Sequence, residues 1–530
     1  YLGQWLLKTK PKVSGDEDLY DTPFYSRFKA LVNWCVTHRW ITIGLTLVAL
    51  MGGFFGMSKV QQQFFPDSSR LELLVDLWMP EGTPFDATEA VAKRVEARMM
   101  REEGVESATT WVGAGWPRFY LPMDQIFPQS NVSQMVLIPK DAQTREALRK
   151  KLPEILSAEF PEIRGRVKLL PNGPPVPYPV QFRVVGDDIQ TLRQFADQAK
   201  TILRAHPDMV GVNDNWNESI KTVRLELDQA KARALGVTTQ SVAQATRVLT
   251  SGSIIGQYRE GDRTLDIVLK QPQSERETLS ALENAYVPTA TGKMVPVLQV
   301  ARPVLKWEPG VLWREGRHFA VTVQGDVRDG VQGPTVSKAV WPQMQALQAK
   351  MPVGYHIELA GTAEESSKGQ GSIFVNVPVM LFITFTLLML QLQSFSRALL
   401  VFLTGPMGIA GVALALLVSG RPFGFVALLG VIALMGMIMR NSVILIDQIE
   451  QDRAKGVPAW TAIVDAAVRR FRPIVLTAAA AVLAMIPLTR SVFWGPMAVA
   501  IMGGLIVATA LTLLALPAMY AAWFRVRRDA

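Results

Sequence analysis

Cysteine is almost missing from this sequence. A single thiol, Cys35, among 530 residues excludes a disulfide framework and a cysteine-rich zinc site. Histidine is scarce too, and four of them fit a His-built metal centre poorly. His206, His318 and His356 are scattered, with no triad spacing. The glycine run GVQG at 330–333 is too short for a phosphate-binding loop. Enzyme chemistry therefore has no support. Charged residues make up 19% of the chain against 49% apolar, which excludes disorder. The chain opens on Tyr1 with no signal sequence, so it reads as a piece of something longer.

What is present is unevenly spread. Trp40–Met57 is an uncharged run of 18 residues, at the lower end of the length of a membrane span. Residues 58–373 then carry charges throughout. Apolar runs return at Phe374–Gln393, Ala398–Gly420, Phe423–Ile449, Pro473–Thr489 and Val492–Phe524. So little polar sequence separates these runs that a soluble core cannot enclose them. The pattern predicts one membrane helix, a large domain and five more membrane helices.

Lysine and arginine near the spans set the orientation. If residues 1–39 are cytoplasmic, the inside segments are 1–39, 394–397, 450–472 and 525–530. They hold 15 basic residues, Lys8, Lys10, Lys12, Arg27, Lys29, Arg39 and Arg397 among them. The short outside loops hold Arg421 and Arg490. The large domain is then exported, and the net charge of +9 anchors the cytoplasmic face without calling for nucleic acid.

The exported region alternates strand-like and helix-like segments. Leu71–Leu77, Phe85–Met100, Val105–Val112, Gln134–Ile138, Ala142–Phe160 and Arg166–Leu170 read as βαββαβ, the ferredoxin-like split βαβ unit. A second copy begins with Val180–Val185, Ile189–Ala205 and Met209–Asn213. It resumes at Phe319–Gln324, Pro334–Lys350 and Tyr355–Leu359. The insertion at 223–314 carries expected strands at 223–228, 264–270 and 293–300 and a helix at 241–249. An extended polar hairpin is expected at 253–264.

Arg440 is the most informative residue. It lies inside an apolar span, in GMIMRNSVILIDQ. An arginine at the bilayer centre costs roughly 2.5–3.5 kcal/mol, and such residues mark an ion or substrate path. The competing reading is snorkelling to the interface. A guanidinium does not shed its proton. Asp447 is seven residues on, about 10.5 Å along the axis, too far for a direct pair. The other apolar runs contain no Asp or Glu. The counter-ion is expected from another chain or a missing part of this one. On the fifth span Arg470 and Thr477 share a face, seven residues apart. There the positive-inside rule and a bond from Thr477 to its own helix are the plainer readings.

Several stretches resemble the resistance-nodulation-division transporters, in their hydrophobe/amphiphile efflux branch. They are FFPD (64–67), GMIMRNSVILIDQIEQDRAKG (436–456), RRFRPIVLT (469–477), AMIPL (484–488) and MGGLIVAT (502–509). The resemblance implies the C-terminal half of a proton-driven multidrug or biocide pump. Its fold would be a polytopic α-helical membrane protein with six transmembrane helices in this half and a large periplasmic α+β domain of ferredoxin-like subdomains. The expected layout is a cytoplasmic segment 1–37, a first span 38–58, one porter subdomain 66–173 and a second at 174–222 plus 315–362. A docking subdomain (223–314), five spans (374–524) and a tail (525–530) complete it.

The same resemblance implies a bacterial inner-membrane homotrimer working with a periplasmic adaptor and an outer-membrane channel. It needs no cofactor beyond the proton gradient and acts on hydrophobic or amphiphilic small molecules. Arg440 stands where the family usually has a relay lysine, Asn441 follows as in the family, and Arg470 and Thr477 match relay-associated positions. The relay carboxylates would lie on the N-terminal half. The loop GAGWPRFYLPMDQIFP (113–128) occupies the gating-loop position. Trp116, Phe119, Tyr120 and Phe127 would line a substrate pocket there, or simply pack on neighbouring strands. A heavy-metal pump and a related exporter of lipids or proteins are the alternatives.

Overall fold

A computed structural model describes residues 22–270, 272, 282 and 285–528. Lys8, Lys10, Lys12, most of the expected cytoplasmic segment and the last two residues of the tail lie outside the described residues. The chain forms two compact units. One runs up to Asn215 and resumes at Trp313; the other is Trp216–Leu312.

The first unit begins with α1 (Pro23–Thr37) and α2 (Arg39–Lys59). Then come β1 (Leu73–Trp78), α3 (Phe85–Met99), β2 (Val105–Val112), β3 (Val132–Pro139), α4 (Ala142–Glu159) and β4 (Arg164–Leu169). The sheet order is β2-β3-β1-β4, antiparallel throughout. Side chains alternate across a strand. Leu73, Val75 and Leu77 therefore join Ala92, Val95, Leu148 and Leu152 of α3 and α4 in one core. Leu74 and Val136 point to the other face, where Met123 of the loop 113–131 covers them. That loop is why β1 is buried on both faces.

The second sheet repeats the connectivity with β5 (Val180–Gly186), α5 (Ile189–Ala205) and β6 (Met209–Asp214). After the insertion it resumes with the two-residue β13 (Arg314–Glu315), which pairs with β14 (His318–Val327), then α9 (Gly333–Gln348) and β15 (His356–Ala360). β14 lies between β5 and β6, and β15 flanks β5. The apolar stripe Leu192, Ala196, Ala199, Leu203 seats α5. Asp188 caps that helix by accepting from the Thr191 N–H at 2.7 Å.

The inserted unit pairs β7 (Ser219–Leu227) with β12 (Ala301–Pro309). It holds α6 (Gln229–Ala234) and α7 (Thr239–Thr250), and a hairpin of β8 (Ser253–Glu260) and β9 (Arg263–Leu269). β10 (Tyr286–Pro288) pairs with β11 (Met294–Pro296). The expected strand 293–300 is corrected here. It ends at Pro296, and Val297–Val300 turn into a short helix, α8, that buries Val297 and Val300. The hairpin is longer than its expected 253–264 and less polar. Ile255, Tyr258, Leu265 and Leu269 are exposed on it.

Among the described residues, six helical segments are long and apolar enough to cross a membrane. They are α2, α10 (Gly361–Leu392), the pair α11 (Phe395–Thr404) and α12 (Gly408–Ser419), α13 (Phe425–Ala454), α14 (Ala459–Met485) and α15 (Gly495–Trp523). Several limits differ from the apolar runs. α10 leaves β15 without a loop, thirteen residues before Phe374. The segment 450–472, expected as an inside loop, is helical except at 455–458. Pro473, expected at the start of a span, sits inside α14. Polar ends extend these helices beyond their apolar centres, which hydropathy alone does not reveal. More than half of the apolar window of α15 is buried, against 6% for α10 and 11% for α14. α15 is therefore the hub of the bundle.

Close backbone approach sets α12 against α15. A Cβ on Gly411 would lie 2.3 Å from the Gly503 carbonyl oxygen, and one on Gly503 would lie 2.2 Å from the Ala415 Cβ. Small residues allow such contact between membrane helices. Gly411→Val is expected to cost more than about 2 kcal/mol through overpacking, lowering the unfolding midpoint of the full chain in detergent. Gly436→Ala, with open space around it inside α13, is expected to hold or raise the midpoint, since alanine is the better helix former.

Candidate functional site

Arg440 lies midway along α13, on the side away from the helices that α13 packs against. At 100° per residue, Ile438, Ser442, Leu445 and Ile449 form the buried stripe of α13, and Arg440 falls opposite. It is exposed on the outside of this bundle. No hydrogen bond or ion pair engages it among the described residues. Asn441 and Ser442 are buried. Ser442 Oγ meets Thr404 Oγ1 at 2.8 Å and donates to the Ile438 carbonyl at 3.0 Å, tying α13 to α11. Thr477 is exposed and donates to the Ile474 carbonyl on its own helix at 2.9 Å. Arg470 is half-buried, with an Nε that finds no partner. The structure does not join Arg440, Asn441, Arg470 and Thr477 to one another by any bond.

The inner ends of these helices carry a network that sequence reasoning missed. Glu450 holds Arg397 at 2.7 Å and Arg453 at 3.4 Å, and accepts from the Tyr520 hydroxyl. Arg453 in turn donates to Tyr520 at 2.8 Å. Asp452, fully buried, takes Arg469 at 2.5 Å and Gln448 at 3.0 Å. These contacts join α11, α13, α14 and α15. The EQDR run at 450–453 was the available signal: acids directly beside a basic inner segment.

The loop 113–131 places the aromatic candidates differently from one another. Trp116 lies 6.0 Å from the Trp111 ring and 5.9 Å from Phe119. Tyr120 donates to Asn172 Oδ1 at 2.9 Å and packs on the sheet. Phe119 and Phe127 are exposed, and Phe127 stands 6.1 Å from Trp313. Packing on the sheet thus accounts for Tyr120 and part of Trp116. Phe119 and Phe127 remain available to a ligand.

Under the same sheet, Lys168 sits 2.7 Å from Asp76 and 3.0 Å from Asp124. Burial alone would raise the Asp76 carboxyl, but Lys168 and Arg166 outweigh it and hold it below its usual value. Burial would likewise lower Lys168, but Asp76 and Asp124 keep it above. An acid in the middle of the apolar strand LLVDLW was the signal for this cluster.

A polar cleft of about 730 Å³ opens between the two sheets. Two forked pairs cross it. Arg166 binds both oxygens of Asp326 at 2.7 Å, and Arg149 binds Asp329 at 2.6 and 2.9 Å. Arg166 also stacks 3.9 Å over the Tyr178 ring. Asp67 of the FFPD run opens into this cleft, where the surrounding protein pushes its carboxyl up, partly offset by Arg149. Among the described residues no group of three or more His, Cys, Asp or Glu is arranged to hold a metal.

The model of the AcrB/AcrD/AcrF family matches residues 22–523. The cation efflux system protein CzcA of an Alcaligenes species is 26% identical over 95% of this chain and 48% of its own length. The multidrug resistance protein MdtC of Erwinia amylovora is 23% identical over 93% of this chain and 48% of its own. A crystal structure of a heavy metal efflux pump superposes with a TM-score of 0.75 at 23% identity, covering 94% of this chain and 51% of that one. The chain spans about half the length of the curated relatives it matches.

Because its folded pKa is depressed, Asp76 adds stability that is complete above the unfolded value near 3.9 and is lost as pH falls through the lower folded value. Asp76→Asn is expected to cost about 3 kcal/mol at pH 7. Unfolding midpoints of wild type and variant, compared at pH 7 and pH 3, are expected to converge at the lower pH.

Proposed function

The chain belongs to the AcrB/AcrD/AcrF family of transporters, and from that membership we propose that it forms one half of a proton-driven efflux pump of the bacterial inner membrane. The observation that carries the reading is Arg440: a permanent charge in mid-span, on an outer face, with no partner among the described residues. The missing half would bring the proton-carrying carboxylates against that face. Arg440 would act as a fixed counter-charge, favouring their ionised form. Proton uptake would neutralise the acid, release the pair and let the helices shift. Asn441, Arg470 and Thr477 would line the same relay, with the unpartnered Nε of Arg470 available to it. A lysine could also carry the proton, whereas an arginine leaves that work to the carboxylates.

Substrate class has two readings. The names of matched relatives favour metal cations, with CzcA a cation efflux protein and a heavy metal pump the structural neighbour. That favours the heavy-metal alternative over the multidrug reading that the sequence resemblance implies. The second reading, apolar or amphiphilic compounds, is favoured by the exposed rings of Phe119 and Phe127 beside Trp116. The two sheets would be porter subdomains of ferredoxin-like connectivity in a periplasmic domain, and the inserted unit a docking subdomain. The working assembly would be a trimer with an adaptor and an outer-membrane channel.

The test compares a deletion strain with complemented strains on a panel of divalent cations, dyes and detergents. Arg440→Ala, at normal expression, is expected to lose proton-coupled export entirely; retained export would overturn the relay role. Trp116→Ala with Phe119→Ala is expected to change the profile for bulky apolar compounds several-fold. Altered cation tolerance with an unchanged dye profile would decide for metals.

A further inference from the structure

The loop over the first sheet is held in an unusual way. Its neck is closed by backbone bonds from Gly113 N to the Val132 carbonyl at 2.8 Å and from Gln129 N to the Gly113 carbonyl at 3.0 Å. Gly113 takes φ +81°, a conformation that favours glycine. Inside the neck, Trp116 Nε1 donates to the Thr109 carbonyl of β2 at 3.2 Å, and two further attachments descend to Asp76. Trp116 N donates to Gln134 Oε1 at 2.9 Å, and Gln134 Nε2 donates to Asp76 Oδ1 at 2.6 Å. Lys168 Nζ donates to both oxygens of Asp124 on the loop at 3.0 Å, and lies 2.7 Å from Asp76 Oδ2. The side chains are largely withdrawn from water, Asp76 at 4% exposure and Lys168 and Asp124 at 11% each.

This is a costly way to fasten a loop. Apolar contacts would serve with no desolvation penalty, and a buried ion pair often contributes little net stability against an apolar replacement. The arrangement gives something apolar packing does not. Lys168 has two carboxylates and needs only one. If the loop lifts, Asp124 leaves with it into solvent, where a carboxylate is well hydrated. Lys168 keeps Asp76, and Asp76 keeps Gln134. No buried charge is stranded in the lifted state, so the contact can break and re-form cheaply.

We propose that Lys168 is a positioning residue, clasping the aromatic loop to the sheet through Asp124 while Asp76 retains its ammonium whenever the loop lifts. The clasp sets when Trp116 and Phe119 face a substrate; that consequence rests on the transport reading above, whereas the clasp itself does not.

The test uses the full chain in detergent with Cys35→Ala and one new thiol. Met123→Cys reports the loop, since Met123 is 1% exposed beneath it. Leu152→Cys reports the opposite, helix-covered core of the same subdomain, where Leu152 is fully buried. Maleimide labelling at position 123 is expected to speed up by about tenfold or more when Asp124→Asn removes the charged bond, with position 152 unchanged. Lys168→Met is expected to do the same, and Lys168→Arg to keep the slow rate. An unchanged rate at 123 in Asp124→Asn overturns the clasp. So does an equal rise at 123 and 152, which would mean general loosening. Labelling needs no transport, so an export failure with an intact labelling pattern counts against the pump reading alone.

Discussion

Arg440 keeps its proton at any pH a cell meets, and a charge in hydrocarbon costs roughly 2.5–3.5 kcal/mol. Nothing among the described residues offsets that cost. At one end of the bundle the acids do have partners. Glu450 is shared by two arginines and a tyrosine, Asp452 by Arg469 and Gln448. Those networks knit the inner ends of four helices. They leave the outer face of α13 with one bare cation among apolar neighbours. That contrast between paired helix ends and an unpaired middle is the ground for proposing that Arg440 meets its partner outside this chain.

The pairing rule also explains the soluble part. The first sheet buries both faces, one under helices and one under a loop. A loop has too few apolar residues to cover a sheet by packing alone. Met123, Trp116 and Tyr120 cover part of it, and Asp124 completes the attachment through Lys168. The second sheet has the same connectivity, but the chain between β6 and β14 is spent on an inserted unit. The repeat supplies two similar frames, and their connecting segments give them different work.

How much of this was legible depended on range. The two βαββαβ runs showed in the sequence because strand alternation and helical stripes are local, as in Leu192, Ala196, Ala199 and Leu203. The membrane runs showed through composition, although α14 begins well before Pro473, because Arg469, Arg470 and Arg472 interrupt its apolar run. The strand expected at 293–300 failed because VPVLQV is apolar in either state, and Pro296 starts a helix as readily as it ends a strand. The unpaired state of Arg440 could be inferred by counting acids within the spans. The clasp could not. Asp76, Asp124, Gln134 and Lys168 come from four segments, and only the register of the sheet makes them neighbours.

The comparisons settle family and leave cargo to chemistry. Identities of 23–26% over half-length matches carry a shared frame, and that frame tolerates different substrates because specificity lives in loops. A metal cation is recognised by a few fixed ligands at short distance. An amphiphile is recognised by apolar area with a few polar anchors. The loop 113–131 offers exposed rings on a mount that can move, which suits the second demand; in the polar cleft between the sheets Asp326 and Asp329 are already engaged by arginines. For a cation to use Asp326 or Asp329, it must first displace Arg166 or Arg149 from a forked pair. A metal route through Asp326 or Asp329 therefore requires a forked pair to open first, whereas an apolar compound can meet Phe119 and Phe127 with both pairs intact.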